Sequence, residues 1–216
     1  MIKKISLLVL VAVFSVVAAN GQTANTAKEN TLIEQPSLAC GIVVDNSGSY
    51  RTIFETVIKT TNQIIEANGT DDETFLVRFV DASKISLIQD FTSSKDELQS
   101  AAEGMFIEGG QTAILDSVYF SAKHLAEKDV SMNRRKILIL ITDGEDRKSA
   151  AKIEEVLKFL KDEKIRVFTL GLSDGKIYKN LLEKLAKETG GKSFTVEKHS
   201  EIEAIVKQLT VAVRAQ

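Results

Sequence analysis

"VVDNSGSY", Val43 to Tyr50, sets an aspartate, two serines and a glycine directly behind an apolar run. A run of that kind, continuous and β-branched, is the pattern of a strand covered on both faces in a mostly parallel sheet. Its end carries more oxygen than a plain turn needs, with Asp45, Ser47 and Ser49 at alternate positions. The stretch reads as a turn, a nucleophile or a metal site, and the rest of the chain has to decide.

Working outward, the run begins at Leu38 ("LACGIVVD", to Asp45). Further strand candidates are "TFLVRFVD" (Thr74 to Asp81), "KISLIQDF" (Lys84 to Phe91), "KILILITD" (Lys136 to Asp143), "IRVFTLGL" (Ile165 to Leu172) and a short "KSFTV" (Lys192 to Val196). Stretches of helical period lie between them: Tyr50 to Ala67, Thr112 to Glu127, Ala150 to Glu163, and Ile177 to Thr189, the first and last followed by Asn68-Gly69 and Gly190-Gly191 as stop signals. A last helix over Ser200 to Val213 opens with Ser200 and Glu203 at capping-box spacing. Strand and helix alternate, which predicts an α/β fold with an open, mostly parallel sheet and helices on both faces. Thr74–Asp81 and Lys84–Phe91 stand too close for a crossover helix, so they form an antiparallel hairpin with one strand at the sheet edge.

The chain of 216 residues suits one domain with a short appendage, and its apolar fraction of 44% suits a packed core. "MIKK", the apolar Ile5 to Ala19 and the small residues near Ala18, Ala19 and Gly21 read as a signal peptide over 1–21, too short for a spanning helix. Residues 22–37 read as a polar leader and 38–216 as the domain. The expected location is therefore outside the cytoplasm, periplasmic or secreted, with no membrane span after cleavage. A formal charge of −2 gives no basic face for nucleic acid. Cys40, the single cysteine, reads as a small buried hydrophobe. Arg78, inside an apolar strand, reads as snorkelling or paired.

In open α/β sheets, ligands bind beyond the carboxyl ends of the strands. "DNSGS" follows the first strand, "TDGED" with Asp143 follows the fourth, and "EGGQTAILD" sets Thr112 at the start of a helix. Three loops thus deliver two carboxylates and three hydroxyls, with no histidine or thiol. All-oxygen ligation suits a hard cation such as Mg²⁺, at about 2.1 Å.

Taken together, Asp45-x-Ser47-x-Ser49, Thr112 and Asp143 resemble the metal-ion-dependent adhesion site of von Willebrand factor type A domains. The likeness runs in order from about Leu38 to Val213, and "VVDNSGSY", "GGQTAILDSV", "ILITDGED" and "LAKETGGKSF" look most like its bacterial exported members. The resemblance implies a Rossmann-like domain and a metal site of Asp45, Ser47, Ser49, Thr112 and Asp143, with the hydroxyls as ligands and the carboxylates bound directly or through water. It implies Mg²⁺, or Mn²⁺ or Ca²⁺, as the ion. It also implies a protein partner offering an exposed Asp or Glu, no catalytic residues, and a last helix that slides on ligand binding. The expected state is monomeric. Two departures stand out: Tyr50 occupies a position where methionine is common, which places a bulkier polar residue at the rim, and Gln111 separates the glycine pair from Thr112.

Simpler readings exist for each part. Asp45 to Ser49 suit a turn and cap, Thr112 a helix cap, and Asp143 a tight turn with Gly144. Asp116 reads as a support for the site or a surface cap, Glu145 and Asp146 as a solvated acidic turn, Asp81 and Asp90 as strand-end residues, and His124 and His199 as solvent-facing. A serine hydrolase using Ser47 or Ser49 with Asp174 and His199 has the right chain order but lacks the G-x-S-x-G elbow. Phosphoryl transfer on Asp45 lacks a second carboxylate two residues on, and a metal-free structural interaction domain is the remaining alternative.

Overall fold

The computed structural model describes residues 37–128 and 134–215. The expected signal peptide, and the expected leader up to Pro36, lie outside the described residues. Among the described residues six strands form one sheet in the order β3-β2-β1-β4-β5-β6: β1 Leu38–Asp45, β2 Glu73–Phe79, β3 Ile85–Thr92, β4 Arg135–Thr142, β5 Arg166–Gly171 and β6 Ser193–Thr195. All neighbours run parallel except β2 and β3, the antiparallel edge pair expected from their short connection. All eight residues of β1 are buried, as a central strand covered on both faces must be.

The helices are α1 Phe54–Glu66, α2 Lys95–Glu103, α3 Ile114–Glu127, α4 Ile153–Asp162, α5 Lys179–Glu188 and α6 Ile202–Arg214. They divide the apolar residues into two cores, one on each face of the sheet. Cys40, Ile42 and Val44 face Val57, Leu98 and Leu209 of α1, α2 and α6. Ala39 and Val43 face Val118, Leu160 and Leu185 of α3, α4 and α5. The period-2 alternation of β1 therefore feeds both layers. Gly41 sits where the layers are tightest: an added Cβ would stand 2.2 Å from Phe75 Cζ and 2.6 Å from Leu138 Cδ2.

Two helix starts differ from expectation. The capping box at Ser200 and Glu203 does not form, because His199–Glu201 is a 3₁₀ turn that places Ser200 inside helical backbone instead of the extended conformation a cap requires. The unforeseen α2 does have such a cap: extended Ser94 accepts a hydrogen bond from Glu97 N–H at 3.3 Å. Cys40 is buried, as expected. Arg78 is paired, with Nη1 2.7 Å from Glu108 Oε1 and its guanidinium over the Phe106 ring.

Candidate metal centre

The parallel register decides what meets at the carboxyl edge of the sheet. Val44 lies opposite Ile141, so β1 and β4 end side by side and release Asp45 and Asp143 next to each other. Asp45 is fully buried, and Asp143 is 6% exposed. Asp45 Oδ1 accepts from Ser47 N–H at 2.8 Å, and Oδ2 accepts from the Thr142 hydroxyl at 2.7 Å. Asp143 Oδ1 accepts from Glu145 N–H at 3.0 Å. The turn reading is therefore half correct. Carboxylate oxygens close the turns, and the Ser47 hydroxyl makes no capping bond.

Ser47 heads the 3₁₀ turn Gly48–Tyr50 without a side-chain capping bond; instead its hydroxyl lies 3.0 Å from that of Ser49. Thr112 is not the cap of α3 either. Asp146 takes that role, its Oδ1 accepting from Ile114 N–H at 2.8 Å and from the Ser149 hydroxyl at 2.7 Å. Asp146 is thus a helix cap, not part of a solvated turn. Asp116 returns the contact by accepting from the N–H groups of Ala150 and Ala151 at 2.9 and 2.8 Å, which makes it a loop support.

Backbone bonds bring the Thr112 loop to the same edge. Asn46 N–H donates to Phe79 O, Glu108 N–H to Asn46 O, and Ala113 N–H to Val80 O. The Arg147 and Lys148 amides both donate to Thr112 O. Thr112 is consequently held between the ends of β2 and β4, 5% exposed. The structure gathers all five expected residues at one edge of the sheet.

The electrostatics are unusual for a structural turn. Burial pushes the Asp45 carboxyl up to about 7, against the pull of its bonds from Thr142 and Ser47, and the Asp143 charge adds to the rise. No ion pair engages Asp45 or Asp143 among the described residues. Nor do the described residues hold a group of three or more His, Cys, Asp or Glu able to bind a metal. An ion at this edge would therefore have to lean on hydroxyls. Hydroxyls free of capping duty beside carboxylates without an ion pair fit a hard divalent cation.

Two side chains depart from the sequence reading. Tyr50 is not at the rim: it is 1% exposed, and its hydroxyl donates to Leu172 O at 2.8 Å. His124 is not simply solvent-facing, since it stacks on Phe91, meets Phe75 edge-on and lies 2.8 Å from Asp90. His199 is solvent-facing, as expected; it lies 2.9 Å from Asp174, and no hydrogen bond joins it to Ser47 or Ser49, so the nucleophile arrangement is not assembled. Thr142 was missed; its signal was its place directly before Asp143, opposite the end of β1. Gly144 follows with φ +86°, and a Cβ there would stand 2.4 Å from Tyr178 O.

These features define a Rossmann-like α/β domain with an oxygen-rich site at the strand ends. The chain belongs to the von Willebrand factor type A domain family, whose sequence pattern matches residues 41–208. Among solved structures it is similar to an aerotolerance-related membrane protein from Bacteroides fragilis, at 17% identity and a TM-score of 0.65, covering 81% of this chain and 99% of that one. It is also similar to proximal thread matrix protein 1 from the mussel byssus with a zinc-occupied MIDAS motif, at 19% identity and a TM-score of 0.70, covering 83% of this chain and 48% of that one. A third is the manganese-loaded TRAP protein of Plasmodium vivax, at 18% identity and a TM-score of 0.63, covering 82% and 74%. At these identities the likeness establishes the fold. No curated protein matches the chain significantly. No helix among the described residues is long and apolar enough to cross a membrane.

Proposed function

We propose that this protein is an exported binding module that captures an acidic side chain of a protein partner through a divalent ion, Mg²⁺ or alternatively Mn²⁺ or Ca²⁺. Ser47, Ser49 and Thr112 would hold the ion by their hydroxyls, with Asp45 and Asp143 balancing its charge directly or through water. The bound ion would supply an electrophilic position for a carboxylate from outside. The observation that carries the reading is the Ser47 and Ser49 hydroxyl pair, 3.0 Å apart and free of capping duty, beside a buried carboxylate with no cationic partner. The zinc and manganese found in two structurally similar proteins support a divalent ion. Export rests on the basic and apolar opening of the chain, with 1–21 as signal, 22–37 as leader and 38–216 as the binding domain.

Calorimetric titration of EDTA-stripped protein with Mg²⁺ and Mn²⁺ tests the site. Saturable binding is expected, and it should vanish in an Asp45→Ala, Asp143→Ala double variant. No saturation, or uptake unchanged in that variant, would overturn the reading. A pull-down from exported proteins of the source, run with Mg²⁺ and with EDTA, then identifies the partner as the ion-dependent fraction.

A further inference from the structure

The loop that carries Ser47 and Ser49 is fastened from below by a side chain that plays no part in ligation. Tyr50 ends the 3₁₀ turn Gly48–Tyr50 and drops its ring into the core, where its hydroxyl donates to Leu172 O at 2.8 Å. Leu172 lies just past the end of β5, two strands away from β1 in the sheet. Its own N–H donates to Thr142 O at 3.2 Å, and the Thr142 hydroxyl donates to Asp45 Oδ2 at 2.7 Å. Asp45 leads back along the chain to Tyr50. The result is a closed ring through Asp45, Tyr50, Leu172 and Thr142 that joins the ends of β1, β4 and β5.

We infer that Tyr50 is the positioning residue of the ion site, coupling the conformation of the Ser47–Ser49 loop to that of the segment after β5. The inference rests on the ion-binding reading proposed above. Its physical basis is preorganisation. Hydroxyl ligands are weak and neutral, so their contribution depends on being already aimed when the ion arrives. Among the described residues no heavy atom lies within 4 Å of a would-be Cβ at Gly48, and Gly48 and Ser49 are exposed, so the outer half of the loop has no cover to hold it. The anchor is below it, in the one Tyr50 bond that spans 122 residues of sequence. Coupling of this kind is reciprocal: if the β5 end steadies the serine loop, an ion that fixes the loop steadies the β5 end.

The test uses Tyr50→Phe, which keeps the ring and removes the bond, and Tyr50→Met as a second apolar replacement. Mn²⁺ affinity is measured by calorimetry, and hydrogen exchange of the peptide over Leu172–Lys176 is followed with and without Mn²⁺, alongside the melting temperature of the stripped proteins. The loss of one buried hydrogen bond predicts Mn²⁺ binding weakened roughly three- to tenfold in Tyr50→Phe. Mn²⁺ should slow exchange over Leu172–Lys176 in the wild type and have no such effect in either variant. Equal affinity in wild type and Tyr50→Phe, or equal Mn²⁺-dependent protection, overturns the coupling while leaving the ion site standing. Failure of the wild type to take up Mn²⁺ overturns both.

Discussion

Thr142→Val isolates the polar work done at the edge of the sheet. Valine copies the shape of threonine and suits a strand, so packing around the fully buried position is kept while the hydroxyl is lost. Two bonds go with it. The hydroxyl donates to Asp45 Oδ2 at 2.7 Å and accepts from Gly144 N–H at 3.2 Å. At pH above about 8, where Asp45 is ionised, a bond to this charged acceptor contributes about 1.5–3 kcal/mol, and a buried amide left without an acceptor costs about 1–3 kcal/mol, the lower end applying to the longer contact. The sum is about 3 kcal/mol. For a domain of this size that lowers the melting temperature by roughly 6–12 °C. Urea and thermal unfolding of EDTA-stripped protein measure it, with Thr142→Ser as the control that restores the hydroxyl. A Thr142→Val variant within about 1 kcal/mol of wild type, or a Thr142→Ser variant as unstable as the valine one, would refute the reasoning.

Cys40 provides a pH-dependent prediction. Burial above all, with the Asp72 charge adding, pushes its thiol from 9.0 up to about 12. Below pH about 9 the proton is held in both folded and unfolded chains; above it only the unfolded chain releases it, so the thiol's contribution is lost as pH rises toward about 12, by up to about 1.4 kcal/mol per pH unit. Urea unfolding between pH about 9 and 11 should show this slope in wild type and a shallower one in Cys40→Ala; identical slopes would count against it. At the opposite edge of the sheet, Asp72 is 2% exposed and accepts from Leu38 N–H at 2.8 Å, Gly69 N–H at 2.7 Å and the Arg214 guanidinium. Asp72→Ala should cost about 3–5 kcal/mol by urea unfolding, since it leaves a partly buried guanidinium and two amides without their acceptor. Mn²⁺ affinity should stay unchanged, because the residue stands far from the ion site along the strands.

The strands were legible because continuous β-branched runs have few alternatives, and the antiparallel pair because its connection is short. Helix α2 was not. Only Leu98 and Ala102 of it are fully buried, too few to raise a periodic signal, and its one clear mark was Ser94 with Glu97 three residues on. The same spacing at Ser200 and Glu203 misled, since a capping box requires extended backbone at its first residue and nothing local fixes that. The five candidate site residues were legible because their types and strand-end positions are sequence properties. The direction of Tyr50 was not, because a 3₁₀ turn sends successive side chains about a third of a turn apart and only tertiary packing decides which one faces inward.

That division has a physical origin. A parallel sheet releases its loops at one edge, so oxygen ligands can gather there from segments far apart in sequence without disturbing the strands that hold them. What disturbs them is charge: Asp45 is buried beside Asp143, and burial drives its carboxyl toward the neutral form. A turn chosen for stability alone would have no reason to keep both carboxylates. The chain tolerates them because Thr142 and the Ser47 amide stabilise Asp45, the Glu145 amide stabilises Asp143, and Tyr50 holds the loop between them from the core side. Each of these supports satisfies a carboxylate or carbonyl oxygen while leaving the serine hydroxyls uncommitted to caps. On the proposed function, a cation at this edge would offset the cost of that arrangement, since serine hydroxyls free of caps and carboxylates without an ion pair suit the same ligand.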